Sequence, residues 1–147
     1  ILDKEFIKKY CSDADIVHHL AGITDVPRVK SESNDKHDER IKEVAEAGTQ
    51  NILDAIKEDC KIIMPSSHVV YEGIEKVKKD IAEDEQTYPV LAYGKSKDYN
   101  EKQLKESGKN YIVLRLGSVY GYSTDTARLD IMANFFSKVA SHVQTLE

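Results

Sequence analysis

The fold is decided near the middle of the chain, by the stretch CKIIMPSS at residues 60–67. The run from Cys60 to Pro65 is short and apolar, and two small polar residues, Ser66 and Ser67, follow it directly. A short apolar run that stops at small polar residues is typical of a buried strand that ends in a turn. We therefore predict a buried strand over residues 60–65.

On both sides of this strand, stretches with helical spacing alternate with short apolar runs. Helices are predicted over residues 3–10, 38–58, 91–105 and 129–143, and strands over residues 14–20, 60–65 and 111–116. Gly108 follows the third helix, at a position where glycine commonly ends a helix. Apolar strands that alternate with helices are typical of a parallel sheet. The predicted fold class is α/β, a doubly wound parallel sheet with helices on both faces.

The composition excludes several classes of protein. The chain has 21 basic and 26 acidic side chains, a net charge of −5, and the two signs are mixed along the sequence. A chain without a basic face is a poor ligand for nucleic acid. Its apolar runs are shorter than the roughly 20 residues that a membrane helix needs, and two cysteines are too few for a disulfide scaffold. We expect a soluble cytoplasmic protein with no metal, no nucleic-acid partner and no membrane partner.

Ligands of parallel α/β sheets bind beyond the carboxyl ends of the strands, so the residues there are candidates for a site. The first strand leads into LAGIT at residues 20–24, the second into Ser66, Ser67 and His68, and the third into GSVYG at residues 117–121. The third predicted helix opens with YGKSK, in which Tyr93 and Lys97 share one face because they are four residues apart. We expect these side chains to form one site.

Five motifs in this order resemble successive signatures of the extended short-chain dehydrogenase family. They are HLAG at residues 19–22, GTQNILDA at residues 48–55, SSHVVY at residues 66–71, YGKSK at residues 93–97 and LRLGSVYG at residues 114–121. A further stretch, RLDIMAN at residues 128–134, looks like the segment that opens the family's sugar-nucleotide-binding domain. The resemblance implies a partial Rossmann-like fold, NAD or NADP as cofactor and a nucleotide-sugar as substrate.

The resemblance also implies roles for single residues. Three residues are expected to be catalytic, namely Ser67, Tyr93 and Lys97. The residues expected to contact the cofactor are Leu20, Ala21, Gly22, Ser66, Tyr93, Lys97, Leu116 and Val119. The residues expected to contact the substrate are Thr24, His68, Ser118, Arg128 and Asn134.

The chemistry of the three catalytic candidates agrees with these roles. A phenol ordinarily has a pKa of about 10 and is a poor base at neutrality, but a neighbouring ammonium favours its charged form. Lys97 is placed to act on Tyr93 in this way because both lie on one helix face. The Ser67 hydroxyl can donate a hydrogen bond to the oxygen from which Tyr93 removes a proton.

The chain departs from the family pattern at several points. It has no glycine-rich turn to receive the pyrophosphate of the cofactor. We therefore expect residues 1–122 to be a partial NAD(P)-binding domain that lacks the first βαβ segment, and residues 123–147 to begin the substrate-binding domain. Ala45 and Ser118 stand where the family commonly has asparagine.

The leading interpretation is an NAD(P)-dependent nucleotide-sugar epimerase that oxidises a sugar hydroxyl transiently and forms a homo-oligomer. One alternative is another reductase of the extended family. The second alternative is a degenerate NAD-binding or scaffold protein without turnover. Ala45 favours that second alternative, and the intact set of Ser67, Tyr93 and Lys97 opposes it.

We predict that the complete protein has no dehydratase activity. Sugar 4,6-dehydratases of the family usually carry acidic residues directly after the catalytic serine or threonine, where this chain has His68 and Val69. Val69 cannot transfer a proton, whereas elimination of water needs an additional acid and base. Incubation with nucleotide-hexoses should therefore give no 4-keto-6-deoxy product by mass spectrometry, and its appearance would contradict this interpretation.

Overall fold

The structure, a computed structural model, describes residues 1–24, 34–121 and 131–142. The chain divides into two compact units, Ile1–Arg115 and Leu116–Glu147, and each unit is described by itself. The predicted domain boundary between residues 122 and 123 lies outside the described residues.

The helices and strands occur in the predicted order. Up to the end of the sheet they are α1 (Lys4–Cys11), β1 (Ile16–His18), α2 (Asp35–Ala55), β2 (Lys61–Ser67), a short 3-10 helix (His68–Tyr71), α3 (Ala92–Glu106) and β3 (Asn110–Leu116). The Asp3 side chain caps α1 by accepting a hydrogen bond from the Phe6 amide at 3.0 Å. The Asn34 side chain caps α2 in the same way, accepting from the Lys36 amide at 3.0 Å. This cap explains why α2 begins before its predicted start at Asp38.

The three strands form one parallel sheet in the order β1-β2-β3. In the pair of β1 and β2, Ile16 lies opposite Lys61 and His18 lies opposite Ile63. The helices α2 and α3 supply the long crossover connections that parallel neighbours require. This arrangement confirms the predicted α/β, Rossmann-like fold class.

β1 is shorter than the strand predicted over residues 14–20, and Pro65 explains its early end at His18. The register places Leu20 opposite Pro65, two positions beyond the pair of His18 and Ile63. Proline has no N–H to donate, so the ladder of hydrogen bonds cannot continue through Pro65. The chain turns at this point, where the Leu20 amide donates to the His18 carbonyl at 3.0 Å. The strands β1 and β2 therefore separate at their carboxyl ends.

One hydrophobic core joins the helices to one face of the sheet. Its buried members are Ile52, Leu53, Ile56, Cys60, Ile62, Met64 and Leu104. Ile7 and Cys11 of α1 pack against the same core, so α1, α2 and α3 all lie on this face. Cys60 has no exposed surface, and burial raises the pKa of its thiol.

The opposite face of the sheet presents exposed apolar side chains. Ile16 is 53% exposed, Ile112 is 41% exposed and Leu114 is 44% exposed. Because side chains alternate between the two faces of a strand, the intervening Val113 packs against the core instead. Helices on this second face, which the sequence predicts, are not among the described residues of this unit.

The second unit contains α4 (Met132–His142), a shorter form of the helix predicted over residues 129–143. Asn134 lies in its first turn, and its Oδ1 accepts a hydrogen bond from the Gly121 amide at 3.1 Å. The rings of Phe135 and Phe136 lie 6.0 Å apart. Across the described parts of both units, every helix is too short or too polar to cross a membrane.

Leu104→Ala should lower the free energy of unfolding by about 2–5 kcal/mol, because the side chain is completely buried and its removal leaves a cavity. The matched control is Leu20→Ala, since Leu20 is 70% exposed and surface changes usually stay within about 0.5 kcal/mol. Urea denaturation of both variants measures the difference. Equal losses of stability at the two positions would contradict this core.

Candidate active site

Ser67 is the last residue of β2 and stands at the carboxyl edge of the sheet. It is half-buried, and its side-chain oxygen accepts a hydrogen bond from the Val69 amide at 3.4 Å. The bond caps the 3-10 helix that follows. A hydroxyl that accepts a hydrogen bond still carries a hydrogen that it can donate, so this contact is compatible with the predicted role of Ser67.

Gly94 allows α3 to begin close to the 3-10 helix. A Cβ at this position would lie 3.1 Å from the Val69 carbonyl oxygen and 3.3 Å from the Cβ of Pro89, so a side chain would be crowded here and glycine suits the contact. Tyr93, the preceding residue, is half-buried in the first turn of α3. The segments that carry Ser67 and Tyr93 are thereby brought into contact.

Lys97 lies one turn further along α3, and its ammonium is held between two neighbours. Its Nζ donates to the Pro65 carbonyl at 2.9 Å and lies 5.6 Å from the centroid of the Tyr93 ring. Burial lowers the pKa of Lys97, and the Glu101 carboxylate opposes this effect. The positive charge therefore lies next to the Tyr93 phenol, an arrangement that favours the phenolate.

A partly buried ion pair follows one more turn along α3, between Glu101 and Arg115 of β3. Nε of Arg115 lies 3.1 Å from each carboxylate oxygen, and Nη2 lies 2.6 Å from Oε2. Nη1 of Arg115 donates to the Tyr71 hydroxyl and, at 2.8 Å, to the Glu83 carbonyl. The hydrogen bond with Glu101 is the main cause that raises the pKa of Arg115. Arg115 thus ties β3 to α3 and to the segment that follows β2.

Ser66, which the sequence predicts as a cofactor contact, directs its hydroxyl elsewhere. It is 3% exposed and donates to Oε1 of Glu101. The side chains of Ser66 and Ser67 lie on opposite faces of β2, as the alternation along a strand requires. A cofactor contact at Ser66 would therefore involve its backbone.

His19 is a buried histidine at the point where β1 ends. It is 5% exposed, and its Nε2 lies 2.8 Å from the Thr49 hydroxyl of α2. Its Nδ1 has no hydrogen-bond partner among the described residues. Burial and, to a lesser extent, the charge of Lys97 lower the pKa of His19 to about 4, so the ring is neutral at pH 7.

The residues after His19 form an open edge that fits the cofactor implied by the motifs. Leu20, Ala21 and Gly22 are exposed, and a Cβ added at Gly22 would meet no atom of the described segments within 4 Å. Small exposed residues let a flat ligand approach the backbone. The buried Nδ1 of His19, which lacks a partner among the described residues, and the Lys97 ammonium supply polar groups at the inner side of this edge.

The other predicted site residues lie on further segments of the chain. Thr24 and His68 are exposed in the first unit, whereas Leu116, Ser118, Val119 and Asn134 belong to the second unit. Arg128 lies outside the described residues. The roles assigned to all of the site residues remain predictions.

Sequence reasoning missed Glu101 and Arg115, although signals for both were present. Glu101 continues the spacing of four residues that joins Tyr93 to Lys97. Arg115 is a lone charge in the apolar run YIVLRL, and a charged residue within a buried strand needs a partner. Thr49 lies within the motif at residues 48–55, whereas its partner His19 lies in a separate motif at residues 19–22.

Ala45, which replaces the family's usual asparagine, is contacted by an amide from another helix. Nδ2 of Asn100 on α3 donates to the Ala45 carbonyl of α2 at 3.0 Å. Asn100 is 4% exposed, so this bond joins α2 and α3 inside the protein. An amide side chain thus lies next to position 45 despite the substitution.

His19→Gln should weaken the pH dependence of stability between about pH 6.5 and pH 4. The folded state holds His19 neutral down to a pKa of about 4, whereas the unfolded chain binds this proton near pH 6.5. The contribution is fully present above the unfolded pKa and is lost as the pH falls through the folded pKa, for a total of about 3 kcal/mol.

His18→Gln is the matched control, because His18 is the exposed neighbour on the other face of the strand. Urea denaturation at a series of pH values measures both variants. The interpretation fails if His19→Gln keeps the pH dependence of the unsubstituted protein, or if His18→Gln removes it to the same extent.

The chain matches the family model of the RmlD substrate binding domain over residues 1–145. No curated protein sequence was found that matches it. The comparison with solved structures adds proteins that share the fold.

One is a UDP-glucose 4-epimerase from Brucella ovis in complex with NAD, 24% identical over 99% of this chain and 47% of that chain, with a TM-score of 0.71. Another is a dTDP-4-dehydrorhamnose reductase from Bacillus anthracis in complex with NADP, 19% identical over 93% of this chain and 47% of that chain, with a TM-score of 0.69. A third is a UDP-glucuronic acid 4-epimerase from Bacillus cereus in complex with NAD, 25% identical over 92% of this chain and 41% of that chain, with a TM-score of 0.69. The chain spans less than half the length of each of these three proteins. Because the family model covers nearly all of the sequence, the chain belongs to the RmlD substrate-binding domain family, which confirms the resemblance to extended short-chain dehydrogenases seen in its motifs.

Proposed function

We propose that the complete protein is an NAD(P)-dependent enzyme that acts on a secondary alcohol or ketone of a nucleotide-linked sugar. The observation that supports this most directly is the position of Lys97, whose ammonium lies 5.6 Å from the centroid of the Tyr93 ring. Both residues stand at the carboxyl edge of a parallel sheet, where ligands of α/β proteins bind. The similar structures were solved with NAD or NADP.

Each catalytic candidate has one task in this proposal. In the oxidising direction, the Tyr93 phenolate accepts the hydroxyl proton of the sugar, and Ser67 donates a hydrogen bond to the same oxygen. Lys97 stabilises the phenolate through its charge and would bind the ribose of the cofactor. NAD or NADP, when bound against Leu20, Ala21 and Gly22, supplies the hydride acceptor. In the reducing direction, Tyr93 returns the proton to the oxygen.

An epimerase is our first candidate for the complete protein. Two of the similar structures are UDP-sugar 4-epimerases, and the two positions directly after Ser67 lack the acidic residues of a dehydratase. An epimerase oxidises the sugar carbon, returns the hydride to its other face and leaves the cofactor unchanged after each turnover.

A reductase is the second candidate, and a specific observation favours it. The family model that matches residues 1–145 is that of RmlD, and one similar structure is a dTDP-4-dehydrorhamnose reductase. A reductase consumes one reduced cofactor for each product. The absorbance of the reduced nicotinamide therefore distinguishes the two, since it falls steadily only with a reductase and its keto-sugar substrate.

The proposal extends to the organisation of the complete protein. Residues 1–122 would contribute to the cofactor domain, residues 123–147 would begin the substrate domain, and the protein would assemble as a homo-oligomer. If the complete protein showed no turnover in any assay, the alternative of a non-catalytic scaffold would be favoured.

Tyr93→Phe in the complete protein should reduce turnover by about 10²–10⁴-fold, because the substitution removes the acid–base group and keeps the ring. NAD and NADP binding, measured by calorimetry, should persist. Turnover is measured on UDP- and dTDP-linked hexoses and on their 4-keto forms.

The matched control is Tyr99→Phe, which removes the same hydroxyl from an exposed position of the same helix. It should leave turnover within about twofold, since surface changes have small effects. Near-normal turnover of the Tyr93→Phe variant would contradict the assignment of Tyr93 as the base.

A further inference from the structure

Three side chains of α3 form one stripe along the helix, because Tyr93, Lys97 and Glu101 are spaced by four residues. An ammonium and a carboxylate at this spacing are close enough to pair on a helix. In α2, Lys42 and Glu46 have the same order and spacing, and their charged atoms lie 4.0 Å apart. The ammonium of Lys97 instead donates to the backbone, at the Pro65 carbonyl.

Glu101 is occupied by other partners on both of its carboxylate oxygens. Oε1 accepts from the Ser66 hydroxyl and from Nε of Arg115, and Oε2 accepts from Nε and Nη2 of Arg115. The fork of a guanidinium matches a carboxylate with two N–H groups at once, which a flexible ammonium cannot do. Arg115 therefore competes successfully with Lys97 for this carboxylate.

Arg115 is itself fixed in place by contacts outside α3. Its Nη1 donates to the Tyr71 hydroxyl of the 3-10 helix and to the Glu83 carbonyl of the following loop. Its side chain is 20% exposed and that of Glu101 is 11% exposed, so solvent screens the pair weakly. The position of the Glu101 carboxylate thus depends on Arg115 of β3 and on the contacts of Arg115 with the segment after β2.

We propose that Arg115 is a positioning residue for the proposed reaction: it holds the Glu101 carboxylate away from Lys97, so that the Lys97 ammonium remains beside Tyr93. This inference rests on the proposed function for its catalytic meaning. Its structural content, a competition between two cations for one carboxylate, does not depend on any substrate.

The pKa of Lys97 depends on charged and titratable groups from α3, from β3 and from the end of β1. Arg115 on β3 is positive and Glu101 is negative, while the rings of Tyr93 and Tyr71 lie beside Lys97 and Arg115 respectively. His19 at the end of β1 is neutral near pH 7, since its pKa is lowered to about 4. Loss of Arg115 removes a positive charge, and loss of Glu101 removes a negative one.

The two losses should therefore move the titration of Lys97 in opposite directions. With Arg115→Met, the released carboxylate can pair with Lys97, and the pKa of Lys97 should rise. With Glu101→Gln, the charge that opposes burial is gone, and the pKa of Lys97 should fall. Shifts of roughly 0.5 to 1 pH unit are expected for charges at this range.

The experiment is NMR titration of the complete protein labelled with ¹³Cε-lysine, with the Lys97 resonance assigned by Lys97→Met. The variants are Arg115→Met, Glu101→Gln and the double variant, in which the midpoint should return toward that of the unsubstituted protein. Lys102→Met is the matched control, because Lys102 is an exposed cation of α3 that pairs with Asp98, and it should leave the Lys97 midpoint unchanged.

Shifts of the two single variants in the same direction, or no shift in either, would overturn the proposal. Opposite shifts also follow from the loss of the two charges alone, so Arg115→Lys is the deciding variant. It keeps the charge and loses the fork, so the Lys97 midpoint should rise by a smaller amount, and an unchanged midpoint would contradict the proposal. Because the titration needs no substrate, a protein without turnover that shows opposite shifts would refute the proposed function and leave this inference standing.

Discussion

The contact between Gly94 and the Val69 carbonyl fixes where α3 lies relative to the end of β2. A Cβ would meet the carbonyl oxygen at 3.1 Å, a tight contact, so the approach favours a residue without a side chain. The helix carries Tyr93 and Lys97, and the strand end carries Ser67. A helix that stood further out would move two of these groups away from the third, since the three side chains come from two separate elements.

Pro65 imposes a second local constraint on the same region. Its missing N–H ends the ladder of hydrogen bonds between β1 and β2. Its carbonyl, where the strands separate, accepts a hydrogen bond from the Lys97 ammonium. One proline thus accounts both for the opening between two strands and for a polar anchor within it. The Leu20 turn and the exposed residues after it follow from the same separation.

Local patterns in the sequence predicted the elements, because apolar spacing and capping residues act over a few positions. The helix over residues 91–105 is found as Ala92–Glu106, and the strand over residues 111–116 as Asn110–Leu116. The length of β1 was mispredicted because it depends on a proline in the neighbouring strand, which only the register reveals. The pairing of Glu101 with Arg115 was missed for the same reason, since the two residues meet only after β3 has docked. Which of Ser66 and Ser67 faces the helices likewise depends on the register.

The placement of Cys60 has a consequence for thiol chemistry. Its side chain lies wholly within the core, and burial disfavours its thiolate, the form that reacts with alkylating and disulfide reagents. Modification at Cys60 therefore requires the core to open, whereas the half-buried Cys11 on α1 needs only a local displacement of its helix. The rate at which Cys60 is modified therefore measures the free energy of opening the core. The rate at which Cys11 is modified measures the free energy of detaching α1, a different quantity in the same molecule.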